Sequence, residues 1–136
     1  MKKRLTAFAV LVLIMGAGCV SSSTGGLEVS MSEGGGQATV RVDDRQFKRL
    51  IDVENAIVRR AVSGFLEANV VARNRAGNDI FIQYKFEWFD KDGMAIQPGG
   101  RPWEQTTIHG GEAVTLSATA PEKSGVRYIV RIRRIQ

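Results

Sequence analysis

Few residues in this 136-residue chain have the type and spacing to do chemistry, and most of those resolve into something plainer. Asp90-Lys91-Asp92-Gly93 sets two carboxylates beside a glycine, as a calcium loop does. An EF-hand loop counted from Asp90 needs a glutamate at its twelfth position, and Arg101, a cation, stands there. Aspartate and glycine at this spacing suit the turn of a hairpin instead. His109, the only histidine, precedes Gly110-Gly111. One imidazole cannot build a structural zinc site. Without a Gly-x-Ser-x-Gly elbow there is no positioned nucleophile for it to activate, so a solvated loop residue is expected. Glu104 and Glu112 are the carboxylates that a wall-cleaving acid/base pair would use, but nothing in the sequence fixes their separation. The chain is therefore expected to hold no catalytic residues, no metal site and no cofactor.

What remains suits contact rather than reaction. Trp88 and Trp103, with Tyr84 and Phe89, have the chemistry of a glycan platform. Trp88 shares the apolar face of its strand and is expected in the core, whereas Trp103 follows Arg101-Pro102 in a loop-like stretch and is the better surface candidate. Arg127, Arg131 and Arg133 line one face of the last predicted strand, with Arg134 beside them. Such a stripe suits anionic lipid headgroups or acidic wall polymers; it equally suits an exposed strand face or sheet edge kept from pairing with another chain. The candidate interaction surface is therefore Trp103, Arg101, Arg127, Arg131 and Arg133.

Cys19 is the only cysteine, and its surroundings give it meaning. Met1-Lys2-Lys3-Arg4 is a basic start, Leu5 to Met15 is apolar except for Thr6, and Gly16, Ala17 and Gly18 are small. That is the layout of a secretory signal, and its apolar run falls short of the roughly 20 residues that span a bilayer. An unpartnered thiol in an oxidising compartment asks for a reason. Here the chain resembles a bacterial lipoprotein signal, in which small residues precede a cysteine that is lipidated and becomes the new N-terminus. It departs three positions before the cysteine, where leucine is usual and Gly16 stands. The resemblance implies removal of residues 1–18 and a diacyl or triacyl Cys19. Such an anchor holds far more firmly than one acyl chain, each buried methylene contributing about 0.8 kcal/mol. Val20 stands where aspartate would signal inner-membrane retention, which implies the periplasmic face of the outer membrane.

Composition is ordinary for one globular domain, with 43% hydrophobic and 24% charged residues. Loss of the signal lowers Lys+Arg from 19 to 16 against 14 Asp+Glu, so the formal charge drops from +5 to +2. The basic character thus belongs largely to the precursor, and no nucleic-acid partner is expected. Residues 19–38, rich in Ser, Gly and Thr, are predicted to be the lipidated cysteine and a flexible tether. Such a tether spans on the order of 25 Å as a coil and roughly 60 Å extended. Leu27-Glu28-Val29 is an alternative short strand within it.

From Thr39 onward (39–136) the pattern is that of strands. Thr39 to Val42 is β-prone, and Asp43-Asp44 precedes a capped helical turn over Gln46 to Leu50. Ile51, Val53, Ile57, Val58 and Val62 suit a long or interrupted strand ending at Ser63-Gly64. Phe65 to Asn74 alternates with Leu66, Ala68, Val70 and Ala72 on one face; Ile80 to Phe89 does so with Ile82, Tyr84, Phe86 and Trp88. Shorter strands follow at Met94–Ile96, Trp103–Ile108 and Glu112–Thr119, and Val126 to Ile135 closes the chain. About 7–8 antiparallel strands separated by turns predict an all-β, immunoglobulin-like sandwich, with a small barrel as the alternative.

Asn74 and the run Tyr84-Lys85-Phe86-Glu87-Trp88-Phe89-Asp90-Lys91-Asp92-Gly93 resemble the YcfL family of small periplasmic lipoproteins. Pro98, Arg101-Pro102, Thr107-Ile108 and Val114-Thr115-Leu116 extend the resemblance over about Leu50 to Gln136. It implies an immunoglobulin-like fold and an envelope location, and it carries no active site across. The function expected is a non-enzymatic module, held to the membrane through Cys19, that contacts another envelope protein or peptidoglycan. A small-ligand or lipid carrier and a hydrolase using Glu104 and Glu112 are the alternatives.

Overall fold

The computed structural model describes residues 25–99 and 101–135. The signal, Cys19 and the start of the tether lie outside the described residues. Nine strands and one short helix follow one another as β1 (Gly26–Ser32), β2 (Thr39–Val42), α1 (Arg45–Leu50), β3 (Ile51–Arg60), β4 (Leu66–Asn74), β5 (Ile80–Phe89), β6 (Ala95–Ile96), β7 (Glu104–Ile108), β8 (Ala113–Thr119) and β9 (Arg127–Arg134). All pairings are antiparallel, in two sheets. The larger sheet runs β2-β1-β9-β5, and β6 and β7 share the far side of β5; the smaller runs β3-β4-β8. The predicted immunoglobulin-like sandwich is the architecture observed, with nine strands in place of 7–8. Among the described residues no helix is long and apolar enough to cross a membrane.

The strand that the sequence reading assigns to tether is β1. It lies inside the larger sheet, between β2 and β9, with Leu27 and Val29 in the core. The Gly/Ser-rich composition masks two alternating apolar residues that pair in register with Ile132 and Val130. Gly26 is required there, because a Cβ would overlap the backbone carbonyl of Ile132. The folded domain therefore begins by Gly26 rather than Thr39.

Alternation decides what is buried. Strand β4 turns Leu66, Ala68, Val70, Ala72 and Asn74 inward, and β5 does so with Ile80, Ile82, Phe86 and Trp88. These meet Tyr128, Val130 and Ile132 of β9. Trp88 stacks on Phe86 with centroids 6.1 Å apart, and both tilt against Tyr128 at 6.0 and 5.7 Å. The space between the sheets is thus filled by side chains. Helix α1 lies at one end of the sandwich: Asp44 Oδ1 accepts from the N–H groups of Gln46 (2.8 Å) and Phe47 (3.0 Å), and Phe47 is buried against the core.

The Tyr128 hydroxyl is buried without a hydrogen-bond partner among the described residues, and burial pushes its pKa up to about 12. A buried hydroxyl without a partner costs about 1–3 kcal/mol of desolvation. Tyr128→Phe keeps the ring and is therefore expected to match or exceed the wild-type denaturation midpoint. A loss of more than ~1 kcal/mol in urea unfolding would mean that the hydroxyl is bonded.

Beside α1, Asp52 takes Arg75 (2.5 Å) and Lys48 (3.3 Å) on its two oxygens. The hydrogen bond from Arg75 chiefly, with help from Lys48 and against partial burial, holds its carboxyl below the ordinary 3.8. The folded carboxyl is thus harder to protonate than the unfolded one. Its contribution is complete above about pH 4 and is lost as pH falls through the folded value. Asp52→Asn is expected to flatten the fall in denaturation midpoint between about pH 4 and pH 2. An unchanged slope would remove Asp52 from the acid response.

Candidate interaction surface

Strand β9 is interior to its sheet, so its arginines protect no edge; they decorate the outer face between β1 and β5. Register places Arg131 opposite Glu28 on one side and Lys85 on the other, with Glu87 a diagonal neighbour. Its guanidinium reaches Glu87 at 3.1 Å and Glu28 at 3.7 Å. Arg133 donates to Gln83 Oε1 at 3.0 Å and lies over the Trp103 ring, 3.9 Å from its centroid. Arg127 covers Phe89 at 4.6 Å. Trp103 and two of the terminal arginines thus meet on one surface, beside a shallow recess of about 80 Å³ that Glu28 and Asp43 also line.

Arg101 does not join them. It donates to the Thr119 carbonyl at 3.0 Å, tying the loop before β7 to the end of β8. The predicted five-residue surface is therefore a patch of Trp103, Arg131 and Arg133, with Arg127 farther along the strand and Arg101 turned to a structural task. Within the sheet Glu28 and Glu87 both pair with Arg131, while Arg127 and Arg133 lie over aromatic rings. Among the cations that have no carboxylate partner among the described residues, three lie on α1 and at the end of β9: Arg45, Arg49 and Arg134. The sequence reading did not single out the α1 pair, because only the fold brings α1 beside the end of β9. There a groove of about 860 Å³ opens, with Arg49, Arg133 and Arg134 on its walls and Phe47, Leu50 and Ile135 as its apolar lining.

The remaining candidates find local partners. Asp90 Oδ1 accepts from the N–H groups of Asp92 and Met94, both at 2.9 Å, so it closes the β5–β6 hairpin as its spacing suggests. Among the described residues no three His, Cys, Asp or Glu side chains gather to hold a metal ion. His109, exposed, has Nδ1 3.0 Å from Asp79 Oδ2. Glu104 accepts from the Tyr84 hydroxyl at 2.9 Å, and partial burial chiefly, with that bond, pushes the Tyr84 pKa up to about 12. Glu104 opens β7 whereas Glu112 lies beyond its other end. At about 3.3 Å per strand residue the length of β7 alone is roughly 13 Å, and Glu104 is bonded to Tyr84 rather than facing Glu112. The carrier alternative required an apolar cavity between the sheets. That space is packed, and the large groove is open and rimmed with charge.

Fold and site together define a class: a small antiparallel β-sandwich whose distinctive features are a cation–aromatic patch on one sheet and a basic groove at one end. Residues 38–134 match the family described as "Protein of unknown function (DUF1425)", and the chain belongs to that family. It is similar to the crystal structure of a DUF1425 family member from Shewanella sp. pv-4, with 27% identity and a TM-score of 0.57 over 85% of this chain and 94% of that one. That match takes in a larger share of the chain than residues 38–134, as a domain that includes β1 should. It is also similar in fold to Campylobacter jejuni cj0090, at 24% identity and a TM-score of 0.54 over 61% of this chain and 85% of that one. No curated protein matches the chain.

Proposed function

We propose that this chain is a YcfL-like lipoprotein, held at the periplasmic face of the outer membrane by an acylated Cys19. There it works without catalysis, through contact between the outer face of its larger sheet and another envelope component, a protein or the wall itself. The observation that carries the contact reading is the patch in which Arg133 lies 3.9 Å over Trp103 with Arg131 beside it. Tryptophan and arginine are among the residue types enriched at binding hot spots, and here the two stack. Packing of both groups in one geometry also lowers the entropy lost when a partner docks.

The test is site-directed photo-crosslinking in intact cells with the full chain. A crosslinker at Ile129, on the patch face, is expected to give a discrete adduct in the envelope fraction. A crosslinker at Thr115, exposed on the other sheet, is expected to give none. Trp103→Ala with Arg131→Glu is expected to abolish the Ile129 adduct. Equal adducts from both faces, or none from either, would sink the contact reading.

A further inference from the structure

On the outer face Arg131 is ion-paired and Arg127 and Arg133 lie over aromatic rings, while a separate group of exposed cations sits at one end of the domain. That end holds α1, the first residue of β1 and the last of β9. Several of its cations are matched: Lys48 and Arg75 by Asp52, and Arg41 by Asp43. Arg45, Arg49 and Arg134 are exposed and have no ion-pair partner among the described residues. Two of these three line the 860 Å³ groove together with Arg133, against the single carboxylate Asp44, whose Oδ1 is taken by the N–H groups of Gln46 and Phe47; Phe47, Leu50 and Ile135 are its apolar lining. Phe81, 56% exposed, stands at the same end, its carbonyl accepting from the Ile135 N–H at 2.9 Å.

The domain also begins at this end. Cys19 and Gly25 are six residues apart, so the connecting chain reaches at most roughly 20 Å. The larger sheet is longer than that leash, since its ten-residue strand β5 spans roughly 30 Å. If Cys19 carries lipid, the end bearing Gly25 is kept within about 20 Å of the headgroups whatever way the domain leans. The surface nearest the bilayer then carries Arg45, Arg49 and Arg134, with the exposed Phe81 ring beside them.

We propose that this end of the sandwich docks on the bilayer, with Arg49 and Arg134 taking the phosphates of anionic phosphoglycerides into the groove, Arg45 adding attraction at its margin and Phe81 resting at the interface. Guanidinium groups bind phosphate oxygens in a bidentate fork, which suits two arginines facing one groove. An interfacial aromatic ring beside them supplies apolar contact. Arg133 lines this groove as well as lying over Trp103, so the patch borders the docking surface. The inference rests on the acylation reading for the distance alone; charge and groove belong to the fold.

Hydrogen exchange of the full chain reconstituted in vesicles tests it, with the intact mass of the same sample recording whether Cys19 is acylated. In vesicles with about a third phosphatidylglycerol, amides of Arg45–Leu50 and Arg134–Ile135 should exchange several-fold more slowly than in pure phosphatidylcholine. That difference should vanish in 0.5 M salt, where the screening length falls to a few ångströms. It should also vanish in Arg45→Glu/Arg49→Glu/Arg134→Glu, whose thermal melt checks that the exposed substitutions leave the fold intact. No lipid-dependent difference in wild type would overturn the proposal even if the mass shows acyl chains. A lipid-dependent difference with Cys19 bare would uphold the surface and remove only the anchor. Equal protection by inorganic phosphate without vesicles, or by peptidoglycan alone, would also overturn it.

Discussion

Trp88→Ala is expected to lower unfolding stability by about 3–5 kcal/mol, while Trp103→Ala lowers it by less than about 1. The whole stability of a domain this size is only about 5–15 kcal/mol. Trp88 is 2% exposed and packed against Phe86 and Tyr128, so truncation leaves a cavity that the two flanking rings cannot both fill. Trp103 is half-buried and lies against the Arg133 guanidinium, a pairing that contributes about 0.5–1 kcal/mol at an exposed site. Urea unfolding of the two variants side by side separates a core tryptophan from a surface one. Similar losses in both would mean that Trp103 is part of the core and unavailable for binding.

Asn74 carries the second large effect. It is fully buried, and its amide ties three segments together: Nδ2 donates to the carbonyls of Asn78 (2.8 Å) and Ile108 (2.9 Å), and Oδ1 accepts from the Ala76 N–H (2.8 Å). Asn74→Ala strands those partners and is expected to cost about 3 kcal/mol, since each buried group left unpaired costs about 1–3 and such losses do not simply add. Asn74→Asp is expected to do more harm at neutral pH, where an ionised oxygen would face two carbonyls. Burial raises the folded carboxyl above its unfolded value, so the variant is least impaired in acid and weakens as pH rises. Thermal melts at about pH 4 and pH 7 check this: the gap from wild type should widen at the higher pH. A gap that narrows would mean the side chain does not donate where the geometry places it.

Most of the sandwich was legible because most of its strands alternate cleanly, as β4 and β5 do residue by residue. Strand β3 was read only as long or interrupted, and its register explains why. Glu54 is an extra residue between the pairs Val53–Ala72 and Asn55–Val71. Ahead of this bulge the odd positions Ile51 and Val53 face inward; beyond it Ala56 and Val58 do, and Ile57 is left 46% exposed. A single parity rule cannot follow that change. Strand β1 was legible only as the alternative strand at Leu27–Val29, because the serines and glycines around them are what a tether has, and the pairing with β9 decides between the two.

The site was legible in part for the same reason. Alternation alone set Arg127, Arg131 and Arg133 on one strand face, and Trp103 stood out as a surface candidate by its loop-like surroundings, but their meeting belongs to the fold. Arg60 was not found: it pairs with Glu33 and donates to the carbonyls of Gly64 (2.8 Å), Lys123 (3.0 Å) and Gly125 (2.9 Å), joining three loops that are distant in sequence. Nor was the α1–β9 groove, whose walls come from residues more than eighty positions apart. Long-range juxtaposition of this kind leaves no local periodic trace.

Anchoring comes down to one measurement, the intact mass of the protein extracted from cell envelopes. The expected product begins at Cys19, lacks residues 1–18 and carries the added mass of a diacylglyceryl group with or without a third acyl chain. A product that keeps its leader, with the Cys19 thiol free, would contradict the placement at the membrane and the contact function proposed from it.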